Sequence, residues 1–64
     1  MFGANVRRER MSIGMTQEKL AERAKIATRN LQKIEAGEIN FLWTTASRIQ
    51  LALRRPWSRL ASPK

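Results

Sequence analysis

The chain has 64 residues with no Cys and no His, and its thirteen Lys and Arg face five acidic residues for a formal charge of +8. That length holds one domain near the lower limit of unaided folding, and the missing Cys and His exclude a disulfide framework and the thiolate and imidazole ligands of most metal sites. The charge points to a polyanion, either nucleic acid or an anionic membrane surface, without telling which sequence or surface is recognised. All five acidic residues are Glu and there is no Asp or Tyr. Glu and Lys are thus the only realistic acid–base groups, and a small helical chain has little room for a substrate pocket, so no enzyme, cofactor or metal is expected. The N-terminal MFGANVRRERM has no apolar stretch after its basic residues, and no run approaches membrane-spanning length. A cytoplasmic protein is the expectation.

A first helix is predicted from Gly3 or Ala4 to Ile13, with Phe2, Val6 and Ile13 inward and Arg7, Arg8 and Glu9 mostly outward. Gly14 closes it, and Thr16 is a good N-cap for the next helix, its hydroxyl able to reach an orphan backbone N–H. Lys19 stands where a capping box wants Glu or Gln, although Glu18 in the first turn suits the helix dipole. The second helix spans about 17–24, with Leu20, Ala21 and Ala24 as its inward stripe. Lys25-Ile26-Ala27 breaks the period, which resumes at Leu31 and Ile34 in a third helix of about 28–36 and stops at Gly37. Two helices this short are marginal alone and must dock on something; joined by a tight turn, they have the helix-turn-helix layout. After a loop from Glu38 to Phe41, Trp43, Ala46, Ile49 and Leu53 mark the inward stripe of a fourth helix. Pro56 interrupts, and Trp57 and Leu60 allow a short fifth helix with Pro at its start. The expected fold is all-α: a compact bundle of four to five short helices, with residues 1–61 as the domain and 62–64 as a short, basic, disordered tail.

T-Q-E-x-L-A-x-x-A-x-I from Thr16, a polar quartet, and L-Q-K-I-E-x-G from Leu31 resemble the lambda-repressor-like (Cro/CI, or XRE) DNA-binding domain. The resemblance covers about residues 4–60 and is densest across 14–37. It implies a five-helix bundle whose third helix lies in the DNA major groove. Three positions depart from the family pattern: Arg54 replaces a C-capping glycine, Leu42 replaces a Ser or Thr cap, and Glu38 stands in a loop that is usually basic.

With Leu31 and Ile34 inward, Thr28, Arg29, Gln32 and Lys33 fall on the opposite face of the third helix. Arg29 and Lys33 suit guanine O6 and N7, Gln32 suits adenine, and the Thr28 methyl suits a thymine methyl. A solvated face is the ordinary fate of such a quartet; its place in a helix-turn-helix of a +8 chain argues for base contact. The resemblance ranks Thr28, Arg29 and Lys33 ahead of Gln32. Gln17, at a helix N-terminus, is expected on a backbone phosphate. Thr16, Arg10 and, in the loop, Asn40 are further phosphate candidates. Because of Glu38, the clamp on phosphates is expected to lean on Arg7, Arg8 and Arg10, or on Arg54, Arg55, Arg59 and Lys64. The resemblance also implies a salt bridge between Arg10 and Glu35 that fixes the first helix against the third and holds Arg10 near phosphate.

Phe41, Trp43 and Trp57 read as core or rim side chains, with an apolar dimer patch as the alternative. Base stacking would want exposed aromatics on a basic face, and these lie on an apolar stripe. The expected function is a sequence-specific regulator of transcription, a repressor, bound to double-stranded DNA as a homodimer on an inverted repeat. One short helix reads too few base pairs to discriminate against bulk DNA. No small-molecule effector is evident. The alternative is an antitoxin or other interaction module that binds a protein partner as well as DNA. A basic amphipathic membrane binder is disfavoured, because the helices are short and the first three all carry Glu.

Overall fold

A computed structural model describes residues 2–38 and 42–61. Asn40, Phe41 and the tail at 62–64, with the expectations attached to them, lie outside the described residues. Every regular element described is a helix: α1 (Phe2–Ser12), α2 (Gln17–Ala24), α3 (Thr28–Glu35), α4 (Trp43–Leu53) and α5 (Trp57–Leu60). None is long and apolar enough to cross a membrane. The helix-turn-helix pair is α2 and α3, with α2 packed on α4 and α1 packed on both α3 and α5.

The ends of the elements have local causes. The Thr16 hydroxyl oxygen accepts from the Lys19 N–H at 3.1 Å and starts α2. Gly14 takes φ 68°, the left-handed conformation that lets the chain leave α1. Lys25 and Arg54 adopt the same conformation at φ 59° and 57°, and each points its N–H back at carbonyls of the helix just ended. Arg54 thus takes the backbone conformation of the glycine it replaces, at a steric cost of about 1–2 kcal/mol. Leu42 gives α4 no side-chain cap, as its apolar side chain requires.

The core comprises Val6, Leu20, Ala21, Ala24, Leu31, Ile34, Ile49, Leu53 and Leu60, with Phe2, Met15, Ile26, Ala52 and Trp57 packed around it. Gly3 decides how close α1 comes to α3. A Cβ there would collide with the Ile34 carbonyl, so only glycine fits.

Three expectations are corrected. Ile13 is 42% exposed, because α1 ends at Ser12 and the turn carries the next side chain outside the bundle. Glu9 is not outward: it is 1% exposed and sits beneath arginines. Trp43 leaves the core stripe of α4 and is 70% exposed. It opens α4, a full turn before Ala46, and lies beyond the packed layer. There its ring stacks on Trp57 at 4.8 Å between centroids and 15° between planes, while Trp57 itself touches Phe2 at 6.3 Å. Trp57, half-buried against the core, keeps its expected rim role.

Candidate nucleic-acid interface

The inward turn of Leu31 and Ile34 leaves Arg29, Gln32 and Lys33 exposed and Thr28 half-buried on the outer side of α3. The structure therefore brings all four predicted base-contacting residues to one face. The orientation of that face depends on Glu35, which follows Ile34 and is itself buried.

Arg10 grips Glu35 with both sides of its guanidinium: Nε donates to Oε2 at 2.9 Å and Nη2 to Oε1 at 3.1 Å. Nη1 donates to the Met15 carbonyl at 2.8 Å, and the two side chains are 11% and 3% exposed. The expected bridge between α1 and α3 is thus present, bidentate and nearly dry. The Gln17 amide nitrogen also donates to Glu35 Oε1, at 3.1 Å. One carboxylate therefore ties together α1, the start of α2 and the end of α3. This has a consequence for the phosphate candidates: Arg10 spends donors of all three guanidinium nitrogens inside the protein, whereas Gln17 gives one of its two amide N–H groups to Glu35 and keeps the second for another acceptor. Thr16 is exposed, and its oxygen serves the N-cap. Arg7, Arg10, Gln17, Gln32, Glu35 and Ala36 line an open cleft of about 310 Å³ where α1, α2 and α3 meet.

A second polar cluster is not apparent from the sequence. Glu9 accepts from Arg8 Nε at 3.2 Å and from Arg59 Nε at 3.3 Å. Arg55 Nε lies 3.1 Å from the same carboxylate, but its N–H is not aimed at an oxygen, so this contact is one of charge only. Burial pushes the Glu9 carboxyl up, yet the hydrogen bonds from Arg8 and Arg59 and the charges of Arg59 and Arg55 hold it below its ordinary value. Beside it the Asn5 amide donates to the Leu60 carbonyl at 2.8 Å, and Arg8 Nη2 donates to the Arg59 carbonyl at 2.8 Å. Side chains of α1 thereby satisfy terminal carbonyls of the four-residue α5. The only signal in the sequence is the i, i+4 spacing of Asn5 and Glu9 on the Val6 side of α1, too weak to find partners some fifty positions away. Of the arginines expected to clamp phosphate, Arg8, Arg55 and Arg59 all face Glu9.

A family model described as helix-turn-helix, of the XRE and lambda-repressor-like type, matches residues 6–60. Comparison with curated proteins and with solved structures returns no match. The family match spans all but the first turn of α1 and runs to the end of α5, taking in the α2–α3 pair and the face just described. The chain therefore belongs to the XRE/lambda-repressor-like helix-turn-helix family, and it is a DNA-binding domain of the transcription-regulator type.

Proposed function

We propose that this chain is a sequence-specific repressor of transcription that lays α3 in the major groove and acts as a homodimer on an inverted repeat. The observation that carries this reading is the outer face of α3, where Thr28, Arg29, Gln32 and Lys33 stand together opposite the buried Leu31 and Ile34. Arg29 and Lys33 read guanine, Gln32 reads adenine and the Thr28 methyl reads thymine. Gln17 and Thr16 meet backbone phosphate at the start of α2, and the Arg10–Glu35 pair holds α1, α2 and α3 in the geometry that aligns them. Repression asks least of so small a reader, since occupancy of an operator that overlaps a promoter blocks polymerase. Such a protein works in the cytoplasm, beside the DNA it reads.

Pairing is supported by the exposed Leu42 and Trp43, large apolar side chains at the start of α4 that a second copy would cover. It is supported also by need, because a single short helix cannot outcompete the excess of non-specific sites. Selection of binding sites from a random pool tests the reading, combined with a native mass measurement of the complex. The expected consensus is an inverted repeat with half-sites centred about 10 base pairs apart, carrying two chains. A consensus with no dyad, on duplexes that carry one chain, overturns the dimer; no selected consensus at all overturns sequence-specific binding.

A further inference from the structure

We infer that Arg7 is the residue of α1 that holds a DNA backbone phosphate, an assignment that rests on the DNA-binding reading above. Three arginines of α1 compete for this role, and the structure separates them. Arg8 is turned toward α5, where it donates to Glu9, to Asn5 Oδ1 at 3.0 Å and to the Arg59 carbonyl. Arg10 donates through Nε, Nη1 and Nη2 to Glu35 and Met15. Arg7 is exposed, has no hydrogen bond or ion pair to a described residue, and stands one turn before Arg10 on the same side of the helix.

Its surroundings fit a phosphate. Arg7 lines the cleft that Gln17 shares with Gln32, so a group bound there lies between the start of α2 and the base-reading face of α3. Arg7 and Arg10 bring two positive charges to this cleft and Glu35 one negative charge, which leaves a net single positive charge for a diester to neutralise. Without Arg7 the Arg10–Glu35 pair cancels, and a phosphate would meet a neutral cleft with a carboxylate in its wall. The bidentate hold of Arg10 on Glu35 is what makes the cleft tolerable to an anion; Arg7 is what makes it attractive. A guanidinium whose donors are unspent among the described residues also matches the fork geometry of phosphate oxygens.

The test compares Arg7→Gln, Arg7→Lys and Arg48→Gln in the full chain, on a mixed-sequence duplex over a range of salt concentrations. Arg48→Gln removes the same charge from a different cleft, beside Arg23 and Lys25 between α2 and α4. Arg7→Gln is expected to bind more weakly, with a log K against log salt slope shallower by about 0.9, the value of one phosphate contact. Arg7→Lys is expected to keep the slope, and Arg48→Gln to keep both slope and affinity. Should Arg7→Gln fail to melt cooperatively, Arg7→Ala takes its place. Equal flattening in Arg7→Gln and Arg48→Gln would make the effect one of net charge and overturn the assignment, as would an unchanged slope in Arg7→Gln. If the unaltered protein shows no salt-dependent duplex binding, the DNA-binding reading falls together with Arg7; in the other two outcomes Arg7 falls alone.

Discussion

Glu35 and Glu38 differ by three positions and should differ widely in consequence. Glu35→Ala leaves the part-buried Arg10 guanidinium without its carboxylate, with only the Met15 carbonyl as partner, and also removes the acceptor of the Gln17 amide, so it should cost about 3–5 kcal/mol. Glu38→Ala, on an exposed residue, should stay within about 0.5 kcal/mol. Adding Arg10→Met to the Glu35→Ala background should recover much of the loss, since apolar replacement of a buried pair is often neutral or better. Thermal melts of the four proteins check this, and equal melting temperatures for the two single Glu variants would show that the pair carries no stability. This pair is legible in the sequence because both residues match positions that the family resemblance pairs. Glu9 is not, since helical periodicity relates only neighbours and its partners Arg55 and Arg59 lie at the other end of the chain. Its carboxyl titrates below its ordinary value of 4.5 in the folded state. The stability it contributes is therefore complete above the unfolded value and is lost as pH falls through the folded one. Acid titrations of folding should lose stability below about pH 4.5, and Glu9→Gln should flatten that acid limb while lowering stability at neutral pH.

At the scale of elements, the helices are legible nearly residue by residue. Apolar spacing locates α2 and the stripe Ala46, Ile49 and Leu53 of α4, while Thr16, Gly14 and Gly37 mark where the chain turns. What spacing does not supply is depth. Trp43 occupies a valid stripe position yet lies past the end of the packed layer, and no pattern along one helix tells where its neighbours stop. Nor does it reveal Gly3, which looks like a weak helix start and is in fact the contact that lets α1 lie on the last turn of α3. Backbone cannot yield as a flexible side chain does, so Gly3→Ala should force α1 away from Ile34 and cost about 1–3 kcal/mol. The Arg10–Glu35 bridge spans the same interface, so the variant should also weaken DNA binding beyond its loss of stability. A melting temperature equal to that of the unaltered protein would show that the interface adapts.

At the scale of the whole molecule, the charge says polyanion and the helix-turn-helix says duplex DNA, but neither divides the arginines between binding and architecture. Net charge overstates the binding surface here, because Arg8, Arg10, Arg55 and Arg59 all contact internal carboxylates. The exposed Trp43 offers a test of pairing that spares the fold. Trp43→Ala should change the melting temperature little, since most of the ring already faces water, while reducing the cooperativity of binding to the two half-sites. Unchanged cooperativity in a titration of the selected operator would remove Trp43 from the proposed dimer contact.

The clasp between α1 and α5 also governs the order in which the chain assembles. The hydrogen bond from Asn5 to Leu60 joins residues 55 positions apart, and that from Arg59 to Glu9 joins residues 50 apart. Such closures must wait until intervening chain has been collected, whereas α2, its turn and α3 assemble from near neighbours. The expected order is therefore that the α2–α3 segment forms early and the contacts between α1 and α5 close last. If so, Glu9→Gln is expected to speed unfolding while leaving the folding rate largely unchanged, and stopped-flow folding and unfolding rates check this.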